Sequence, residues 1–292
     1  MPCDVVTSNG HCGTLGSVDE PGITHIRQPR GWVPIDANEL WSFRELLFFL
    51  AWRDVKVRYK QTAIGAAWAI LQPVLTMVVF SVFLGRLAGV PSDGAPYPIF
   101  TYSALLPWTF FANGLIQSSG SVVANANLIS KVYFPRIMIP LASVLAGVFD
   151  FLIASIVLGG LMAFYGVPLT PRAMMSLVFL ALAFVVTFGV GLWLAALNVR
   201  FRDVRHAVPF LTQIWLFASP VAYPTGLLGD RWKLVYGLNP MVGVIDGFRW
   251  SLLAGDRQLG PDVVVSSVVA VLLLVGGLVF FQRMERSFAD VV

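Results

Sequence analysis

Asp150 is the residue best placed to do chemistry, because it interrupts an apolar stretch that runs from about residue 137 to 165. A charged side chain at the centre of a bilayer costs about 2.5–3.5 kcal/mol on insertion scales. Such an acid could pass a proton or contact a substrate, or it could form a hydrogen bond to a neighbouring helix, if necessary in its protonated form. The stretch contains no base to accompany it, which argues against a proton relay and favours the structural role.

A second candidate region is the cationic segment over residues 39–62. Apolar residues recur there every seven positions with cations beside them, and Asp54 precedes Arg58 by one helical turn. The apolar positions are Phe43, Leu50 and Val57, and the cations are Arg53, Lys56 and Lys60. This pattern predicts an amphipathic helix in the membrane interface that is too charged to span. An ordinary solvated helix is the alternative, which the apolar run over 46–50 disfavours.

The segment 125–136 is a candidate docking site. It places Tyr133 and Phe134 beside Lys131 and Arg136, and we expect both aromatic side chains to be exposed. Exposed aromatic residues next to charges are typical of contacts with a partner protein. A lipid-facing turn would have the same composition, so both explanations stay open.

Aromatic residues are dense towards one side of the predicted spans. Most such residues anchor a helix at the membrane interface. Alternatively, some of them line a conduit in which the C–H faces of sugars slide over the rings. The candidates are Trp215, Phe217, Tyr223, Trp232, Tyr236, Phe248 and Trp250.

Nucleotide and metal chemistry have no signature in this sequence. No G-x-x-x-x-G-K-[ST] motif occurs, so the chain lacks the phosphate-binding loop of P-loop ATPases. The two cysteines, Cys3 and Cys12, and the three isolated histidines have no metal-ligand spacing. We expect no catalytic residue, no metal and no cofactor on this chain. The net charge of +4 suits anionic lipid headgroups, and no nucleic-acid-binding patch is evident.

Composition places these residues in a membrane. The chain is 57% apolar and 12% charged, whereas soluble domains carry about 25% charged residues. A spanning helix needs about 20 apolar residues, and six windows qualify. They are about 64–86, 99–119, 137–165, 173–197, 207–225 and 262–282. The fifth is the weakest, because three prolines interrupt it.

The distribution of charge predicts the orientation. Near the span ends, twelve Lys and Arg residues lie on the side of the 39–62 segment and six lie on the other. By the positive-inside rule both termini are cytoplasmic, as an even number of spans requires. The polar residues 1–38 predict a disordered cytoplasmic tail, residues 63–285 the membrane domain, and 286–292 a short cytoplasmic C-terminus.

The connection 226–261 is too long and too apolar to be a plain loop. Asn239 followed by Pro240 predicts a helix start, and the apolar residues that follow lie on one face of a helix of about 14 residues. We predict a short amphipathic or re-entrant helix on the outer side, preceded by another around 232–236. The fold class is therefore an all-α membrane protein with six transmembrane helices, an N-terminal interface helix and short outer helices between spans five and six.

Four spaced motifs coincide with the connections placed above. They are W-R-D-V-K-V-R-Y-K-Q-T at 52–62 running into G-A-A-W-A-I-L-Q-P at 65–73, L-I-S-K-V-Y-F-P-R at 128–136, N-V-R-F-R-D-V at 198–204 and N-P-M at 239–241. Over roughly residues 40–285 the chain thereby resembles the ABC-2-type polysaccharide-export permeases, which are the membrane subunits of O-antigen, capsule and teichoic-acid ABC transporters. The first 38 residues lie outside the resemblance.

The resemblance implies a homodimer in the bacterial cytoplasmic (inner) membrane, joined to two copies of a separate P-loop ATPase that binds ATP and Mg²⁺. The implied cargo is a glycan, most like an O-antigen, on an undecaprenyl-type pyrophosphate carrier. Spans one and five would border a channel with a lateral opening to lipid, and 226–255 would form gating helices. The residues implied in ATPase coupling are Arg53, Asp54, Lys56, Ser130, Lys131, Val132, Tyr133 and Phe134. We hypothesise that Arg58 and Lys60, at headgroup depth, attract the pyrophosphate.

Other classes fit the residues less well. An ABC-2 exporter of a drug or small lipid would share the fold, and the motifs at 52–62 and 128–136 argue against it. A membrane glycosyltransferase should show paired cytoplasmic acids for a metal and a sugar nucleotide, whereas Asp203 stands alone among arginines. A proton-coupled transporter should carry several ionisable groups within its spans.

Overall fold

The computed structural model describes residues 37–60, 67–227, 229–253 and 259–291. The tail predicted over 1–38 lies almost entirely outside these residues, as do positions 61 and 62 of the predicted interface helix. Within the described residues the regular elements are all helical, and the predicted all-α fold class is confirmed.

Five helices among the described residues are long and apolar enough to cross a membrane: Ala67–Leu87, Tyr97–Ala124, Met138–Phe164, Pro171–Arg200 and Pro261–Glu285. They correspond to predicted spans one to four and six. Span one is an α-helix over Ala67–Phe80 (α3) that widens to a π-helix over Ser81–Leu87. The others contain α4 (Tyr97–Ala124), α6 (Met138–Phe164), α7 (Ser176–Arg200, after a 3₁₀ turn over Pro171–Met175) and α11 (Pro261–Val291). A short helix, α5 (Ala126–Ile129), lies in the connection between α4 and α6.

The predicted fifth span is shorter than expected. Its helix, α8, covers Val204–Phe217, after which the chain turns over 218–221. Pro220 has no N–H to continue a helical ladder, and the residue before a proline avoids helical geometry, so the helix ends before it. The segment is a helix of 14 residues followed by a turn, shorter than the proline-interrupted span predicted over 207–225.

The predicted interface helix is two helices, α1 (Ala37–Ser42) and α2 (Arg44–Lys60), separated at Phe43. Leu50 and Val55 are buried where α2 packs on α6. Val57, one heptad after Leu50, is 63% exposed. Of these two positions of the seven-residue spacing, Leu50 packs within the protein and Val57 lies on its outer surface.

The core is centred on α4, which packs against α3, α6, α7, α8 and α10. Small residues bring α4 and α7 close together, because a Cβ added at Gly191 would strike Ser118 and one at Gly114 would strike Thr187. A Cβ at Gly277 of α11 would strike the carbonyl of Gly189 of α7. In lipid, where apolar surface gains little by helix association, such close backbone contact is the main source of helix packing energy.

Two short helices follow α8: α9 (Asp230–Tyr236) and α10 (Pro240–Leu252). The predicted start of α10 is confirmed, since the Asn239 side chain caps it by accepting a hydrogen bond from the Met241 N–H at 3.1 Å. Nearly every residue of α10 is buried. It is therefore an internal helix, and its predicted apolar face is only one part of its buried surface.

Arg249 of α10 stabilises the end of α8. Its guanidinium donates to the carbonyls of Phe100 at 3.2 Å, Pro220 at 2.5 Å, Val221 at 2.6 Å and Tyr223 at 3.3 Å, and it lies 3.6 Å from the Phe100 ring centroid. A broken helix at membrane depth leaves carbonyl groups without N–H partners, which is costly unless protein donors satisfy them. Arg249 supplies these donors.

Candidate functional site

The helices described above enclose a cavity of about 1230 Å³ at the end of the bundle where α2, the α4–α6 connection and the α7–α8 connection meet. We call it the basic cavity. The arginines that line it are Arg53, Arg58, Arg202 and Arg205, beside His206, and Asp54 is the only acid among the described lining residues. The four arginines outnumber the two carboxylates that contact them, Asp54 and Asp150, so the cavity has a positive potential, which attracts anions.

Arg53 links α2 to the end of α4. Its guanidinium donates to Asp54 Oδ1 at 2.9 and 3.2 Å and to Asn125 Oδ1 at 2.9 Å. Asn125 in turn donates to the Ser121 carbonyl at 2.8 Å, so the connection after α4 is held against α2. Part of the positive charge of Arg53 is compensated locally by Asp54.

Arg58 and Tyr59 reach Asp150 from α2. Arg58 Nη1 and the Tyr59 hydroxyl both donate to the carboxylate of Asp150 on α6. The three side chains are partly buried, with Arg58 26% and Asp150 17% exposed. Burial first, and then the hydrogen bond and charge of Asp150, raise the pKa of the Tyr59 phenol, which therefore stays protonated as a donor.

The third part of the cavity wall is the turn between α7 and α8. Asn198 ties α7 to α4 by donating to the Ser119 carbonyl at 2.9 Å. After α7 ends at Arg200, Arg202 and Arg205 follow on the turn and the first residues of α8, beside His206. All three side chains are exposed. They face the cavity at the N-terminus of α8, whose helix dipole adds positive potential.

The sequence pattern of the ABC-2 type transporter family matches residues 45–253. This chain belongs to that family. It is 28% identical over 257 residues to the O-antigen export system permease protein RfbA of Myxococcus xanthus, covering 87% of this chain and 97% of that protein. It is 27% identical over 251 residues to the protein of the same name from Klebsiella pneumoniae, with 85% and 95% covered.

A more distant relative of this ABC-2 family member is the polysialic acid transport protein KpsM of Escherichia coli. The two are 21% identical over 236 residues, which is 80% of this chain and 92% of that protein. The resemblance inferred from the four motifs is thus confirmed at the level of the family.

The residues predicted to couple this ABC-2 chain to an ATPase lie at the same end as the basic cavity. Ser130, Lys131, Val132 and Tyr133 are exposed, with Tyr133 at 78%. The prediction that Phe134 is exposed is wrong, because its side chain is only 4% exposed. Lys56 is exposed, with its ammonium 5.7 Å from the Trp52 ring centroid. The exposed surface of this segment therefore ends at Tyr133.

The two cations predicted to attract pyrophosphate do not converge. Lys60 is exposed but does not line the basic cavity, and Arg58 lines it while pairing with Asp150. Asp150 was expected to have no base within its own apolar stretch, and its partner Arg58 lies on a different helix, α2. The cations that join Arg58 around the cavity are Arg53, Arg202 and Arg205.

The seven aromatic residues predicted to line a channel or gate are dispersed over the part of the helix bundle opposite the basic cavity. Phe248 is buried and packs edge-on against Phe151 at 5.8 Å. Trp215 donates to Asn239 Oδ1 at 2.9 Å. Trp232 and Phe217 are exposed, and Trp250 lies under the guanidinium of Arg172 at 5.6 Å.

Tyr223 and Tyr236 form a pair beyond the end of α8. Their hydroxyls lie 2.8 Å apart, and because Tyr223 donates to the Phe217 carbonyl at 2.9 Å, Tyr236 is the donor between them. Burial first, and then the bond with Tyr223, raise the pKa of Tyr236. This hydrogen-bonded pair joins α9 to the end of α8.

Sequence reasoning gave no site role to Tyr59, Arg202, Arg205 or His206, and it considered Asn125 only as part of the docking segment 125–136. The motif over 198–204 drew attention to the α7–α8 turn, but nothing in it indicated that the turn faces α2. Three arginines lie close together in the sequence, at positions 200, 202 and 205, and this cluster was a signal for an anion-binding site. Asn125 and Tyr59 carried no comparable signal, since their roles depend on partners distant in sequence.

Proposed function

We propose that this chain is the permease subunit of an ABC transporter that exports a lipid-linked polysaccharide, O-antigen-like, across the bacterial cytoplasmic membrane. ATP is bound and hydrolysed on a separate partner subunit, and two copies of each subunit form the transporter. Support comes from the family and from relatives whose names specify O-antigen export and polysialic acid transport.

The observation that carries the proposal is the basic cavity. A polysaccharide carried on an undecaprenyl-type pyrophosphate presents its negative charge at headgroup depth, and the cavity presents four arginines at one end of the helix bundle. Arginine binds phosphate oxygens through two parallel N–H donors, which suits a pyrophosphate better than a single point charge does. The pyrophosphate enters among Arg58, Arg202 and Arg205, and the glycan follows.

The positive-inside rule places the basic end in the cytoplasm. The ATPase then docks on the exposed surface formed by Ser130–Tyr133 and by Lys56 of α2. Because Arg53 and Asn125 join α2 to the connection after α4, a push on that connection moves α2 and the cavity wall together. Closure of the ATPase thereby changes the shape of the site that holds the pyrophosphate.

Gly120 offers a test that leaves the fold intact. It lines the basic cavity, and a Cβ added there meets nothing within 4 Å. A tryptophan at this position therefore enters the cavity without displacing protein, and replacing a helical glycine favours the helix by up to about 1 kcal/mol. We expect Gly120→Trp to reduce export at least tenfold, with lipid-linked glycan accumulating inside the cell.

Gly160 is the matched control. It is an exposed helical glycine of α6 whose added Cβ also meets nothing within 4 Å, and it does not line the cavity. Gly160→Trp should export normally at the same level of inserted protein. Surface glycan from Gly120→Trp cells equal to that from Gly160→Trp cells would refute the role of the cavity.

A further inference from the structure

A second cavity, of about 1050 Å³, lies at the end of the bundle opposite the basic cavity. Three connections meet there: the loop before α4, the loop after α6, and the region from the end of α8 to the start of α11. We call it the far-end cavity. Its volume is at the upper end of the range for small-molecule sites, and the site described above uses none of its residues.

The polar lining of the far-end cavity is built for hydroxyl groups. Three carboxylates, on Asp93, Asp246 and Asp262, line it together with the ammonium group of Lys233 and the indole of Trp250. Carboxylates accept hydrogen bonds from hydroxyls, and an aromatic ring offers an apolar surface to C–H groups. Sugar rings present both kinds of group side by side.

The charge balance of the cavity selects against anions. Among the described lining residues, the three carboxylates are accompanied by two cations, Lys233 and Arg249, which leaves one net negative charge. A sialic or uronic acid residue would meet net negative charge, whereas a neutral sugar would not.

Parts of the wall are bare backbone. Gly94 and Gly166 adopt positive φ values of 82° and 66°, and added Cβ atoms at Gly94, Gly166 or Gly226 would meet nothing within 4 Å. Asp93 has a φ of 51°, a conformation that non-glycine residues seldom adopt and that often marks a functional loop. Backbone N–H and C=O groups next to these glycines are therefore within reach of a ligand.

We propose that the far-end cavity is a binding site for neutral sugar units of the exported glycan. The proposal rests on the proposed function for the origin of the sugar, and on the cavity itself for the chemistry. A sugar unit that is bound there, after it has passed from the basic end, disfavours movement of the glycan back towards the basic end. A phospholipid is the other candidate occupant, and the experiment below distinguishes it.

Photo-cross-linking in exporting cells tests the proposal directly. Leu259→p-benzoylphenylalanine places the reactive group at the exposed rim of the far-end cavity, where Leu259 is 40% exposed, and Gly229→p-benzoylphenylalanine is the control, at an exposed glycine that does not line the cavity. We expect a glycan adduct at 259 at least fivefold above that at 229. Equal yields at both positions, or a phospholipid adduct at 259, would overturn the proposal.

A third position separates this inference from the proposed function. Val57→p-benzoylphenylalanine reports cargo in the basic cavity from its rim, where Val57 is 63% exposed. Glycan adducts at 57 but not at 259 would overturn the far-end site and leave the export function standing. Absence of glycan at both positions, in cells whose inserted protein reacts with lipid on irradiation, would overturn the export function itself.

Cavity filling gives an independent readout. Gly226→Phe should lower the rate of glycan appearance at the cell surface at least threefold, because the ring occupies space that the sugar needs, while Gly229→Phe should leave it unchanged. Equal export rates from the two variants, at equal membrane levels, would count against a sugar-binding role.

Discussion

Removing either partner of the Arg58–Asp150 pair should destabilise the fold far more than removing both. Breaking a fully buried ion pair costs about 3–5 kcal/mol, because it leaves an uncompensated charge in a low dielectric. These side chains are 26% and 17% exposed, so water screens part of the remaining charge. We therefore expect about 2–3 kcal/mol for Arg58→Leu or for Asp150→Leu.

The double variant is the informative one. Two leucines leave no buried charge between α2 and α6, so its loss of stability should stay within about 1 kcal/mol of the unsubstituted protein. The coupling energy between the two positions is then about 3–6 kcal/mol. Tyr59→Phe, which removes one donor to the same carboxylate, should cost about 1.5 kcal/mol.

Unfolding of the purified protein by sodium dodecyl sulfate in mixed micelles, at fixed protomer concentration, measures these free energies. Arg136 and Glu285 provide a control pair, since their closest charged atoms are 3.9 Å apart and their coupling should fall below about 1 kcal/mol. Additive effects of Arg58→Leu and Asp150→Leu, within about 0.5 kcal/mol, would refute an energetic link between α2 and the middle of α6.

Three further outcomes follow from the same contacts. Tyr133→Ala should leave the stability of the protein unchanged, because the side chain is exposed, but ATP hydrolysis should no longer drive export. Phe134→Ala removes a buried side chain and should lower the free energy of unfolding by about 3 kcal/mol. Equal melting temperatures of the two variants would contradict this. Arg202→Gln combined with Arg205→Gln should lower export and weaken its dependence on ionic strength, as assayed in proteoliposomes, and an unchanged salt dependence would contradict a role in anion attraction. Arg249→Met should destabilise the end of α8 by several kcal/mol, because the carbonyls of Pro220, Val221 and Tyr223 lose their donor, and melting within 1 °C of the unsubstituted protein would contradict that.

The spans were predictable because hydropathy over about 20 residues depends on local composition alone. The start of α10 was predictable for a similar reason, since a cap and a proline at the first helical position act within a few residues. Both features are set by the segment that shows them.

The contacts that build the site depend on distant partners and could not be read in this way. Arg58 and Asp150 are 92 positions apart, and a search for a base within the apolar stretch around Asp150 could not find one on α2. Tyr133 and Phe134 have the same character in sequence, but tertiary packing buries only the second. The end of α8 is sustained by Arg249, 29 positions beyond Pro220, so its prolines indicated a weak span without showing how it ends.

Binding of the carrier lipid to the purified chain tests the central claim most directly. The comparison is between undecaprenyl pyrophosphate and undecaprenol, which share the hydrocarbon and differ in the anionic group. Tighter binding of the pyrophosphate by at least tenfold, lost in Gly120→Trp and retained in Gly160→Trp, is the predicted result. Equal binding of the two lipids, or binding of the pyrophosphate that Gly120→Trp leaves intact, would contradict the account.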